Sequence, residues 1–389
     1  MARGIIIGAG RIGRGYMAEV LTQAGYTISF VEKEAVLVAS LTRQGTYTVH
    51  KAWDDGHWDH LTLTHVEAVT PDDPMYRRWV MEPELVIGIA VFQKDVQEVM
   101  SVLGPLLVSR LEAGLPKVNL LFCVNMIHPA GFGWEALRAH IPSQMHNAME
   151  GYVGMADCIV NTTAPATPQR FLDEDPLALL NNGFPHMTVD AKALVSPLPA
   201  CGLLYLSQRM AGEEMRKIHT VNTAHVTLGY LGIPKGYRYA HEAAADPQLS
   251  AHVQRALAES AIGLCGEYGF TPDEMHTWNA HVLQAMGNPE LGDELPRLCM
   301  DSGRKLYKSD RMVGPALNCL RHGGSPDALL EVIAAAMRYT YAGDLGSQRV
   351  CDLLEREGVD AVLDQICKLD TQGVEGDLRA RIAQVVSPL

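Results

Sequence analysis

Two halves of different class are predicted for this 389-residue chain: an α/β half built on a doubly wound, mostly parallel sheet, then an all-α C-terminal half. Three observations carry that expectation. Residues 4–32 read as strand, glycine-rich turn, helix and second strand; strand and helix patterns keep alternating to about residue 124; and from about residue 200 the strand signals fade into long helical patterns. Near that change, VSPLPACG (195–202) punctuates the chain with two prolines and a glycine, so domains are expected at 1–198 and 199–389.

The first element is the most legible. In GIIIGAGRIGRGYMAEVLTQAGYTISFVEKE (4–34) a β-branched run is followed by Gly8, Gly10 and Gly13, an amphipathic stretch to about Ala24, and a second strand at 27–31. Gly8 suits the tight turn, Gly10 lets backbone approach a pyrophosphate, and Gly13 lets helix and strand pack closely. With Arg11 and Ile12 between them, these residues make a loop whose helix N-terminus faces phosphate, the mark of a Rossmann-type dinucleotide site. Glu32 closes the second strand. A carboxylate there accepts hydrogen bonds from the ribose hydroxyls of NAD and repels the extra phosphate of NADP, so NAD is the expected cofactor; Arg11 and Lys33 leave NADP disfavoured rather than excluded.

Further strands are expected at 45–53, 58–65, 84–91 and 117–124, with a helix at about 93–113. YTVHK (47–51) has the Tyr-x-x-x-Lys spacing of a catalytic pair that works only on a helix; its alternating Thr-Tyr-Thr-Val context reads as strand, so it is set aside. The strand at 117–124 runs into Asn125, at the strand end where open α/β sheets bind ligands; a turn-forming asparagine is the equal alternative.

In the second half, helical patterns run at 203–230, 250–269, 272–286, 312–321, 325–340, 346–357 and 372–386. Within the first, MRKIHTVNTAH (215–225) sets Lys217, Asn222 and His225 among apolar neighbours. At ~100° per residue, Asn222 lies about 140° and His225 about 80° round a continuous helix from Lys217, so all three share one side. Such a trio is more often a solvated face. Beside a dinucleotide domain it gains a second meaning, because dehydrogenation of an alcohol needs a base for the hydroxyl proton and donors for the developing alkoxide. A desolvated lysine can be that base, and two asparagine amides can be the donors.

Composition narrows the classes. A formal charge of −13 argues against nucleic acid as a partner, though a small anion needs only a local basic pocket. No run approaches the ~18–20 apolar residues of a spanning helix, and the N-terminus has no cleavage-site pattern, so a cytoplasmic protein without a membrane partner is expected. Eight scattered cysteines with no CxxC pair suit reduced thiols. There is no HExxH or clustered Cys/His set for zinc, and no Gly-x-Ser-x-Gly elbow for a hydrolase; a metal-free site is expected.

These residues resemble the polyol-specific long-chain dehydrogenases over most of the chain: GAGRIGRG, CVNM, MRKIHTVNTAH, GNPELGDELPR, RKLYKSDRMVGPA and LLEVIAAAMRY carry the likeness, and Lys-x4-Asn-x2-His is its specific signature. The resemblance implies Lys217 as catalytic base, Asn125 and Asn222 as oxyanion donors, His225 as the residue orienting a substrate hydroxyl, and Asp157 at a substrate-contacting position. Val124 replaces an acidic residue of the family, Cys158 an arginine, and IAVF (89–92) a glycine-containing loop. The length suits the polyol-phosphate branch. Arg304 and Lys305, with Lys308 and Arg311, form a basic cluster able to hold a phosphate or carboxylate, or a solvated helix end. The expected function is an NAD-dependent, lysine-based interconversion of a polyol phosphate and a ketose phosphate, mannitol 1-phosphate and fructose 6-phosphate leading, by a monomer or weak homodimer. The alternatives are an unphosphorylated polyol or sugar acid as substrate, or a nucleotide-binding sensor without catalysis.

Overall fold

The computed structural model describes residues 2–183 and 186–386. It divides into two compact units, Met1–Met210 and Ala211–Leu389. In the first unit the strands run in chain order as β1 (Arg3–Ile7), β2 (Thr27–Val31), β3 (Thr46–Ala52), β4 (Trp58–Thr64), β5 (Glu67–Val69), β6 (Leu85–Ile89), β7 (Val118–Phe122), β8 (Val153–Val160), β9 (Leu179–Asn181), β10 (Met187–Asp190) and β11 (Leu204–Ser207). Among the described residues the main sheet has eight strands in the order β11-β10-β8-β7-β6-β1-β2-β5. It is parallel except where β10 runs against β8. Both faces of its centre are covered, so Ile5, Ile6, Ile87 and Leu120 are fully buried and the strands read as continuous apolar runs. Strand order reverses at β1, between β2 and β6, which opens a crevice at the carboxyl ends of β1 and β6.

β3 is a strand, as its alternation predicts, in a small sheet with β4 and β9; Tyr47 and Lys51 are buried, and Lys51 pairs with Glu19. Arg110, on the helix Val96–Glu112, is fully buried and donates to the carbonyls of Val80, Glu82, Pro83 and Pro116. That guanidinium gathers backbone acceptors that β6 and its flanking turns would otherwise leave unpaired.

The helical expectation for 203–230 needs correction. Leu204–Ser207 is β11, paired in parallel with β10, and the remainder is two helices, Met210–His219 and Val221–Gly232. The break is Thr220, at φ −126° and ψ −72°. Its hydroxyl donates to the Arg216 carbonyl at 2.6 Å and accepts the Trp278 indole N–H at 2.8 Å, so a remote aromatic holds the residue out of helical geometry. The second unit is otherwise helical where periodicity places helices, from Pro247–Tyr268 to Gly373–Val386. Its core is built round Asp327–Arg338, whose Leu329, Val332, Ile333 and Met337 are fully buried. Among the described residues no helix is long and apolar enough to cross a membrane.

Candidate active site

In the first unit the glycine loop has the shape a dinucleotide needs. Gly8 sits at φ +96°, and a Cβ there would stand 2.5 Å from the Ala90 carbonyl oxygen. A Cβ on Gly13 would stand 2.0 Å from the Gly8 oxygen, so side chains are excluded at both positions. At Gly10 the same position meets nothing within 4 Å, leaving exposed backbone facing open space. Arg11 and Ile12 begin the helical stretch that ends at Gln23.

Glu32 lies just past β2 and is tied into this loop. It accepts the Ala9 N–H at 2.8 Å and the Glu34 N–H at 3.0 Å, one on each oxygen. Each oxygen keeps a second lone pair, so ribose hydroxyls have acceptors left. On the other side of the same residue, buried Arg14 donates to the Ala9 carbonyl at 2.6 Å and to the Leu177 carbonyl at 2.8 Å. Sequence reading missed Arg14; an arginine on the apolar face of the first helix was its signal. Lys33 is paired with Asp95 at 3.0 Å, and Arg11 donates to the Ala164 carbonyl at 3.2 Å, so neither cation stands idle beside Glu32. A cradle that a Cβ would fill, exposed loop amides and an acidic group at the strand end together fit NAD.

Asn125 follows β7. The Met126 N–H donates to the Val124 carbonyl at 2.8 Å, a tight turn that sends the exposed Asn125 outward, while Val124 is buried. Asn125 lines an open cleft of about 690 Å³ with Val91, Phe92, Gln93, Lys94, Gln97 and Phe132. The loop is held from β8: buried Asp157 accepts the Ala130 N–H at 2.6 Å and faces His128 Nδ1 at 2.8 Å. His128 takes the left-handed conformation at φ 57°, rare outside glycine, so this anchoring holds an unfavourable turn in place. Asp157 therefore supports the Asn125 loop, and each of its oxygens keeps a second lone pair.

In the second unit the break at Thr220 separates the trio. Lys217 is on Met210–His219, and Asn222 and His225 are on Val221–Gly232, so the single-helix angle does not relate them. All three are half-buried rather than solvated. His219, buried two residues after Lys217, is pushed down to about 4 by burial and is neutral at physiological pH. His225 Nε2 lies 3.6 Å from Asp293 Oδ2, and Asp293 is also bound by Arg297; neither partner was found by spacing, although both lie within GNPELGDELPR.

The basic cluster is largely neutralised from within. Arg304 pairs with Asp301 at 3.2 Å and Asp310 at 3.3 Å, Arg311 with Asp310 at 2.7 Å, and Lys308 with Glu375 at 3.2 Å. Lys305 is buried and donates to the Leu298 carbonyl at 2.6 Å; burial first, then the charges of Arg311 and Arg304, bring its pKa down to about 8.

Residues 3–201 match the family model of the mannitol dehydrogenase Rossmann domain, and residues 213–373 match that of the mannitol dehydrogenase C-terminal domain. The chain belongs to the mannitol dehydrogenase family. It is an oxidoreductase of that family. Among curated relatives it is 26% identical over 374 residues to the mannitol-1-phosphate 5-dehydrogenase of Buchnera aphidicola subsp. Schizaphis graminum (strain Sg), covering 96% of each chain. Two solved structures share the fold. One is a D-sorbitol dehydrogenase in substrate-free form, with TM-score 0.83 and 15% identity over 99% of this chain and 93% of that one. The other is the Pseudomonas fluorescens mannitol 2-dehydrogenase ternary complex with NAD and D-mannitol, with TM-score 0.74 and 16% identity over 99% and 91%.

Proposed function

We propose that this mannitol dehydrogenase family member is an NAD-dependent enzyme that interconverts a polyol phosphate and a ketose phosphate, with mannitol 1-phosphate and fructose 6-phosphate as the leading pair. The observation that carries the substrate class is the 96% coverage by a relative named for a mannitol phosphate, together with an intact Lys217-x4-Asn222-x2-His225. NAD, when bound on the glycine loop with its adenine ribose against Glu32, supplies the hydride acceptor. Gly8, Gly10, Arg11, Ile12 and Gly13 shape that loop.

Lys217, in its neutral form, takes the proton of the reacting hydroxyl. Asn125 and Asn222 donate their amide N–H groups to the oxygen as its negative charge grows, which lowers the barrier only while that charge is present. His225 binds a neighbouring substrate hydroxyl and fixes which carbinol reacts. Asp157 keeps the Asn125 loop in its turn. In the reverse direction Lys217 returns the proton to the new alkoxide.

A second reading, an unphosphorylated polyol or a sugar acid, is favoured by one observation: Arg304, Lys308 and Arg311 are already paired with Asp301, Asp310 and Glu375. A phosphate held by Arg304 and Lys305 would compete with Asp301 and Asp310 for the first and with the Leu298 carbonyl for the second. The test is NAD reduction by the purified protein against mannitol 1-phosphate, other hexitol phosphates, the free hexitols and the alcohols of sugar acids. Mannitol 1-phosphate is expected to give the highest kcat/KM by at least about tenfold. Preference for a free polyol would establish the second reading, and no turnover with NAD bound would establish a sensor.

A further inference from the structure

An imidazole can accept a hydrogen bond only through the nitrogen that lacks a proton, so the partner of one ring nitrogen decides what the other can do. His225 has such a partner. Its Nε2 lies 3.6 Å from Asp293 Oδ2, and the two side chains are 16% and 8% exposed. The other Asp293 oxygen accepts from the Arg297 guanidinium. The backbone round Asp293 is fixed as well. Its carbonyl accepts the Ala240 N–H at 2.8 Å, the Leu295 N–H donates to the Arg238 carbonyl at 2.9 Å, and Gly292 before it takes the left-handed turn at φ 56°. Burial pushes the Asp293 carboxyl up, but the neighbouring His225 ring and then the Arg297 guanidinium outweigh it and hold the group below the usual range. The carboxylate thus stays ionised and acceptor-only.

We propose that Asp293, clamped by Arg297, is a positioning residue that acts through His225: it accepts the Nε2–H, sets the neutral Nε2–H tautomer, and leaves Nδ1 as an acceptor for a substrate hydroxyl. The proposal rests on His225 being a substrate contact, as argued above. The 3.6 Å separation shortens when a hydroxyl binds Nδ1, because accepting at one ring nitrogen makes the N–H on the other a better donor.

The test is a double-mutant cycle on the full chain with NAD and the best substrate of the panel, using Asp293→Asn, His225→Asn and both together. Asp293→Asn is expected to raise the polyol KM and lower kcat/KM on the order of tenfold, the loss of one charge-assisted hydrogen bond, with the KM for NAD unchanged. Within His225→Asn it should add less than about twofold, and Asp293→Glu should restore part of the loss. An equal factor in both backgrounds overturns the positioning role while leaving His225 as a contact. An inert His225→Asn is a different failure, removing the substrate contact itself and the proposal with it. Nitrogen-15 NMR of the unmodified protein, with the His225 signal assigned by its absence in His225→Asn, needs no Asp293 variant to fold. The Nε2–H tautomer is expected there, and an Nδ1–H tautomer overturns the proposal.

Discussion

In the sheet unit, Asn125 stands on a loop beyond β7 and Glu32 stands just past β2, and main-chain groups fix their surroundings: Ala9 N–H on Glu32, Val124 carbonyl on Met126, Ala130 N–H on Asp157. In the helical unit, Lys217, Asn222 and His225 stand on helix faces, and side chains from other segments set their neighbourhood: Trp278 on Thr220, Asp293 and Arg297 beside His225. A loop at a strand end exposes unpaired N–H and C=O groups that can do this work. A helix interior has spent its own, so orientation has to come from remote side chains.

That contrast can be broken at its strongest point first. Lys217→Ala is expected to lower kcat by a factor on the order of 10² to 10⁴ with NAD affinity unchanged, the usual worth of a general base. If only KM moves, the helical unit supplies binding alone. Asn125→Ala and Asn222→Ala should each lower kcat on the order of 10² to 10³, one donor lost from each unit. A drop confined to Asn222→Ala would assign the whole oxyanion contact to the helices.

For the cofactor, NAD is expected to be preferred over NADP by at least about a hundredfold in kcat/KM, because the extra phosphate meets the Glu32 charge. Glu32→Ala should erase most of that preference. Since Glu32 also holds the Ala9 N–H, the same variant should weaken NAD binding itself, as calorimetry would read. Equal use of both cofactors by the unmodified protein would mean Lys33 leaves Asp95 to meet the phosphate.

The last expected effect is on stability and compares two buried cations. Arg110 donates to the carbonyls of Val80, Glu82, Pro83 and Pro116, so Arg110→Leu should cost on the order of 3 kcal/mol by leaving buried acceptors unpaired. Lys305 meets the Leu298 carbonyl, and its pKa is lowered to about 8. Between about 8 and its ordinary 10.5 the unfolded chain holds the proton and the folded one does not, so this residue makes stability rise with pH across that window. The span corresponds to roughly 3 kcal/mol, fully felt as a cost below pH 8. Lys305→Met should flatten the rise in urea-melt stability over that window while leaving the neutral-pH midpoint unchanged or higher. A midpoint falling as far as in Arg110→Leu would make Lys305 a structural partner of equal weight.

Much of the sheet unit was legible because its signals are local. Gly8, Gly13 and Glu32 lie within one strand–turn–helix–strand run, and the steric limit at Gly13 is set by Gly8, five residues away. Strand β11 was not legible: Leu204–Ser207 has a periodicity that suits either element, and it is a strand because β10 offers its ladder. Arg14 was missed for a related reason, since its partner at Leu177 lies elsewhere in the chain, as do the partners of Asp157 at His128 and Ala130.

The sequence by itself determined the class of each half, the NAD-shaped loop, the family likeness and the identity of the lysine, asparagine and histidine. Residue type and short spacing suffice for these, because steric limits on glycine and helical periodicity act over a few residues. Tertiary structure alone decided that Lys217 and Asn222 lie on different helices, that Arg304 is occupied by Asp301 and Asp310, and that Asp293 faces His225. Each depends on which distant group arrives within hydrogen-bonding or ion-pairing distance. Those energies fall off within a few ångströms, so folding and not spacing along the chain selects the partner.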